Sequence, residues 1–183
     1  MGYEVALLKA WSELGNITKD KSLSIVFLAE EYAVDLENQQ VMSLSYNLPA
    51  KDYVSILILH YLVQKLKGLP LLDGEWISFK QLAGGQGYYS AFRKRVIAPI
   101  VKKYGSNPNA IYGLVKRFKA KTVQLADSSV VLEVFNNVPV LIELWRGDEE
   151  FGPEANVLFD KSIKDIFCTE DIVVLAGFVA YNI

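Results

Sequence analysis

Two stretches of the chain concentrate side chains whose types and spacing could do chemistry. The first is Gly74-Glu75-Trp76-Ile77-Ser78-Phe79, followed by Gly84-Gly85-Gln86-Gly87-Tyr88-Tyr89 and then Arg93-Lys94-Arg95. A glycine-rich loop that runs into a helix leaves backbone N–H groups at the positive end of the helix dipole, where phosphate or carboxylate is favoured. Arg93 and Arg95, one turn further on, could clamp an anion through two parallel N–H donors. Trp76, Tyr88 and Tyr89 could stack on a planar group. The spacing matches neither the phosphate loop, since no Lys-Ser or Lys-Thr follows the glycines, nor the dinucleotide fingerprint. The other reading is a mobile loop, core aromatics and a solvated basic face.

The second stretch is Arg146-Gly147-Asp148-Glu149-Glu150-Phe151-Gly152-Pro153-Glu154, which leaves a strand-like run ending at Trp145. Asp160 follows at the end of the next run. Successive acids repel one another, and low-dielectric walls would raise the pKa of at least one. That arrangement suits a general acid–base pair or oxygen ligands for a hard cation. It lacks the alternating acidic positions of a calcium loop. The plainer reading is a polar turn, or an acidic surface facing the basic segment. His60, in mid-helix, reads as a general base, an axial ligand or a core histidine with one hydrogen bond. Cys168 precedes a helix start, where a thiol pKa can fall, but no histidine lies near it in sequence and no nucleophile elbow is present.

Charge ties the two stretches together. From Trp76 to Ala126 there are ten basic side chains and no acid, whereas the rest of the chain holds nine Lys or Arg against all 21 acids. The net charge of −2 therefore hides a split of +10 in that stretch against −12 in the remainder. A one-signed stretch of this length marks where an anionic small molecule or an acidic protein surface can dock. Nucleic acid is disfavoured, because the overall pI is about 5.5 and no DNA- or RNA-reading motif occurs.

The elements that must position these residues read as α+β, a mostly antiparallel sheet packed against helices, with residues 1–183 as a single globular domain. At 51% apolar and 22% charged residues, the composition supports a full core and argues against disorder. A helix is predicted over Tyr3–Leu14. Strands follow at Leu23–Leu28, Tyr32–Leu36 and Val41–Leu48, with a break at Glu30-Glu31. Lys51–Lys67 is predicted as a helix buried on nearly every face. Pro70–Gly87 reads as irregular, and a helix starts near Tyr88 or Ser90 and runs to Tyr104, interrupted by Pro99. A second helix is predicted from Asn109 to Phe118. Further strands are predicted at Thr122–Leu125, Val130–Phe135, Val138–Trp145 and Asn156–Phe159. The helix Thr169–Tyr181 closes the series, with Thr169 as its N-cap.

One cysteine and one histidine exclude an internal disulfide and a four-thiolate zinc or iron–sulfur site. No metal-ligand set is identified; a bound metal would be hard and oxygen-ligated. No cofactor or oligomeric state is indicated. Apolar runs of about ten residues fall short of the roughly 20 needed to span a bilayer. The N-terminus shows no secretory signal, and Ala6 stands where an acylation signal at Gly2 needs Ser or Thr. The expected location is the cytoplasm.

Several segments together resemble a family of uncharacterised proteins, a domain of unknown function seen mainly in anaerobic bacteria and archaea. They are Ile58-Leu59-His60-Tyr61-Leu62, the Gly74–Phe79 stretch, Gly87–Phe92, Leu144–Phe151, Leu158-Phe159-Asp160 and Thr169-Glu170-Asp171. The resemblance covers most of the chain from Lys51 onward. It implies a link to corrinoid and one-carbon metabolism and, in some relatives, a four-cysteine iron–sulfur segment. This chain lacks those cysteines, so no cluster role transfers. The resemblance also weights Trp76, Gly87, Tyr88, Tyr89, Trp145, Asp148, Glu149, Glu150 and Asp160 as one shared site without assigning roles. With Gly84, Gly85, Arg93 and Arg95 these make up the expected ligand site of an accessory or binding protein. An acid–base or hard-metal enzyme built on Asp148-Glu149-Glu150 is the alternative, and a protein-interaction module is the third reading.

Overall fold

The computed structural model describes residues 3–183; the acylation reading at Gly2 lies outside them. Helix α1 (Glu4–Ile17) is followed by a meander of β1 (Ser22–Phe27), β2 (Glu30–Asp35), β3 (Gln40–Ser43) and the two-residue β4 (Leu48–Pro49). The first hairpin turns at Leu28-Ala29, not at the acidic pair: both residues have positive φ, and Glu30 and Glu31 already belong to β2. No glycine or asparagine marks this turn. What holds it is tertiary, because the Leu28 N–H donates to Val134 O at 2.8 Å and the Leu28 side chain is buried.

Helix α2 (Asp52–Lys67) is the apolar cylinder its sequence predicts, with an unbroken buried run from Val54 to Leu59. Each Val, Ile or Leu side chain of that run taken fully from water contributes about 1.5–3 kcal/mol. The rings of Tyr61, Phe135 and Phe27 stack in series, at centroid distances of 4.3 and 4.4 Å. This stack joins the helix to both sheets, and the buried apolar side chains form one continuous core.

The second sheet holds five antiparallel strands in the order β5-β9-β8-β7-β6: β5 (Trp76–Ser78), β6 (Ala120–Val123), β7 (Ser128–Phe135), β8 (Val138–Trp145) and β9 (Glu154–Asp160). Strands β6 to β9 form a meander, and β5 is added to its outer edge from earlier in the chain. The architecture is α+β. β5 and the 3-10 turn Phe79–Gln81 lie where the sequence reads as irregular. A strand of three residues carries too little periodicity to be seen against flanking glycines.

Helix α3 (Gly85–Phe92) begins three residues before the expected start. It continues through a π-helical turn, Arg93–Ile97, into α4 (Ala98–Tyr104). The Ala98 N–H reaches back five residues to Arg93 O. Pro99 then follows with no N–H to donate, and the widened turn relieves the clash of its ring with the carbonyl four residues back. The residues Pro108–Lys116 form 3-10 turns in place of the expected α-helix. The final helix, α5 (Thr169–Asn182), has Cys168 at its N-cap. The Thr169 hydroxyl instead donates to Ala83 O at 2.9 Å, tying α5 to the loop before α3.

Candidate functional site

The glycines of the first stretch are spent largely on backbone geometry. Gly84 sits at φ +72°, and a Cβ on Gly85 would lie 1.9 Å from Phe79 O. The Gly85 N–H is taken by Leu82 O at 2.9 Å. Only glycine lets the 3-10 turn and the start of α3 approach this closely. Gly87 is different: it is exposed, and a Cβ there would meet nothing.

The bulged helix forms one wall of a groove of about 750 Å³. Tyr89, Arg93, Lys94, Ile97, Val101 and Lys102 project into it, and the facing wall is the chain from Pro153 to Asn156 at the start of β9. Ile97 and Val101 supply an apolar floor, and Arg93, Lys94 and Lys102 a basic rim. The only opposing charge on the lining is Glu154. Among the described residues none of these three cations forms an ion pair. Tyr89 is half-buried, with Lys80 Nζ 4.2 Å above its ring. The π-turn matters here: it sets the stagger between Arg93 and the residues of α4 on the same side of the helix.

Of the expected site residues, Arg93 and Tyr89 line the groove. Trp145 lies beside it, paired across the ladder with Glu154. Asp148, Glu149 and Glu150 belong to the exposed connection from β8 to β9. There Asp148 Oδ1 accepts from the N–H groups of Phe151 at 2.7 Å and Glu150 at 2.8 Å. Those backbone donors, Phe151 first, hold the Asp148 carboxyl below its ordinary range. The acid therefore organises its own turn. The connection is locked onto the helix, since Gly105 packs so closely on Pro153 that a Cβ would come within 2.8 Å of that ring. The basic and acidic segments thus meet at the groove, through Pro153 and Glu154.

Gly84, Gly85, Gly87, Tyr88, Arg95 and Trp76 do not line this groove. Asp160 is at the far end of β9 and is a buried clamp. Its Oδ1 accepts from Asp73 N–H and Ser162 N–H, both at 3.0 Å, and its Oδ2 from Gly74 N–H at 2.8 Å. Burial by itself pushes this carboxyl upward. The Ser162 hydroxyl and the three N–H donors outweigh it, and the pKa lies below the ordinary value. Lys102 and Asn156 were not singled out from sequence, and Lys94 was named only as part of the run Arg93-Lys94-Arg95. The spacing Ser90, Arg93/Lys94, Ile97, Val101 on one helical face is the signal that carries them.

His60 Nδ1 and Asp171 Oδ2 lie 2.8 Å apart, joining α2 to the first turn of α5. The hydrogen bond to Asp171 raises the His60 pKa against the lowering effect of burial. Cys168 is pushed up to about 11, chiefly by desolvation of its sulfur, so its thiol is no ready nucleophile. No group of three or more His, Cys, Asp or Glu among the described residues is arranged to hold a metal. No described helix is long and apolar enough to cross a membrane.

A family model for a domain of unknown function, DUF3786, matches residues 9–182. The chain belongs to the DUF3786 family. No curated protein and no solved structure was found to match it. Membership in DUF3786 spans both walls of the groove, the Asp160 clamp and the His60–Asp171 pair, and it carries no assigned activity.

Proposed function

We propose that this DUF3786 protein is a cytoplasmic accessory or binding protein that holds an anionic ligand, a small molecule or an acidic segment of a partner, in the groove between the bulged helix and β9. The observation that carries the reading is the imbalance of the lining: Arg93, Lys94 and Lys102, none of them in an ion pair among the described residues, face Glu154 as the one acid of the lining. Unpaired cations on one concave surface raise the local concentration of anions and steer them inward. The apolar floor of Ile97 and Val101 and the ring of Tyr89 give an organic anion a surface to cover. The link to corrinoid and one-carbon metabolism rests on the family resemblance alone.

The test is calorimetry at low salt with inorganic tripolyphosphate and a tetra-aspartate peptide as probes. Arg93→Ala combined with Lys102→Ala weakens at least one probe about tenfold or more. Arg95→Ala, outside the lining, changes affinity by less than about twofold. Equal affinity of the double variant and the parent protein would remove this reading. Nothing in the geometry of Asp148, Glu149 and Glu150 favours the enzyme alternative over it.

A further inference from the structure

Phe151 is 69% exposed in the connection from β8 to β9, with the exposed Glu149 and Glu150 next to it in the chain. The turn that carries them is well braced. The Asp148 N–H donates to Phe151 O at 2.8 Å, and Asp148 Oδ1 accepts from the N–H groups of Glu150 and Phe151. At its base a Cβ on Gly147 would lie 2.9 Å from Pro153 N, and Pro153 is itself packed on Gly105 at the end of α4. An exposed ring and two carboxylates are thus presented as a fixed knob, which loses little conformational freedom on docking. Glu149 and Glu150 form no ion pair among the described residues, and Phe151 does not line the groove of its own chain.

The groove beside this knob has the complementary character. Its floor is apolar, from Ile97 and Val101, and its rim carries Arg93, Lys94 and Lys102. The minority charges are reversed as well: Arg146 is the one cation of the knob, and Glu154 the one acid of the lining. Building on the anionic-ligand reading above, we propose that the occupant of the groove is the Asp148–Phe151 knob of a second copy of this chain. Phe151 covers the floor, and Glu149 and Glu150 meet the basic rim. Pro153 closes the base of the knob and also lines the groove, so the two surfaces adjoin. A two-fold axis beside Pro153 therefore sets each knob in the other copy's groove at once, and the contact closes as a dimer. The choice of a second copy over an unrelated acidic segment follows from the match, because one rigid surface meets the floor, the rim and the reversed pair Arg146 and Glu154. Opposite charges on facing patches fix register and reject other partners, and a desolvated aromatic ring is a residue type that anchors interfaces.

The test is sedimentation equilibrium of the full chain at low salt, with two charge-reversed variants. One carries Glu149→Lys and Glu150→Lys, the other Arg93→Glu and Lys102→Glu. The parent protein should reach twice the mass of one chain, and each variant alone should raise the dimer dissociation constant about tenfold or more. An equimolar mixture of the two should return to within about threefold of the parent, because both knob–groove pairs are then complementary again. Recovery in the mixture also shows that both variants fold. Phe151→Ser, which leaves every charge in place, should weaken the dimer about tenfold. A parent protein that stays monomeric at submillimolar concentration, a dimer indifferent to the reversals, or a mixture that fails to recover overturns the inference. Calorimetry of the Glu149→Lys, Glu150→Lys variant with tripolyphosphate tests the anionic groove by itself, since its lining is unaltered. If that probe binds and no dimer forms, the second-copy inference falls alone. Neither dimer nor bound tripolyphosphate overturns both proposals.

Discussion

Replacing Asp160 with alanine removes one carboxylate that holds three backbone donors, and the cost can be worked out donor by donor. Ser162 is buried, so its N–H has no water to turn to; leaving such a donor unmet costs about 1–3 kcal/mol. Asp73 and Gly74 are exposed, so their N–H groups recover water and lose about 0.5–1.5 kcal/mol each. Asp160→Ala should therefore destabilise the protein by about 3–4 kcal/mol, read as the shift of a urea unfolding midpoint at constant slope. Exchange at the amides of residues 73, 74 and 162 should rise before the rest of the sheet opens. Asp160→Asn keeps one acceptor oxygen and should lose about half as much. The sign of the pH dependence follows from the lowered folded pKa. The stabilisation is present above the unfolded value of about 3.9 and fades as pH falls through the folded one. The gap between parent and Asp160→Ala should thus narrow on acidification. A loss below about 1 kcal/mol at pH 7, or a gap that widens toward pH 3, would refute the clamp.

Gly85→Ala places a Cβ against Phe79 O and should cost about 2–4 kcal/mol. Gly87→Ala, in open space on the same helix, should be neutral or gain up to about 1 kcal/mol; urea titration of both checks the contrast. His60 is the chain's single histidine, so one imidazole resonance reports its titration. Its midpoint should lie above 6.5 and fall in Asp171→Asn. Because the folded pKa is raised, the stabilisation is complete below about pH 6.5 and lost as pH rises through the folded value. A midpoint at or below 6.5 would contradict the pairing.

Much of this was legible along the chain because it depends on composition and period. The run Val54–Val63 is apolar on nearly every face and has no choice but to be buried, and the grouping of strands around helices implies α+β whatever the contacts. The charge split between Trp76–Ala126 and the remainder is likewise a property of the chain itself. Gly84 was visible as a loop signal because a positive φ is a local demand.

Other features depend on what lies opposite, which no local window records. The Leu28-Ala29 turn exists because Val134 O accepts from Leu28, and α3 starts early because Gly85 fits against Phe79. Asp160 reads as one more acid near an acidic loop until three amides converge on it. From sequence Arg93 and Arg95 look equivalent, but the π-turn forced by Pro99 helps decide which cations share a groove with β9. Residue types and periodicity determined that this protein has a buried helix, antiparallel sheets and a basic middle. Tertiary structure alone decided which charges meet and which carboxylate becomes a buried clamp, because pairing is a relation between distant segments and burial converts it into free energy.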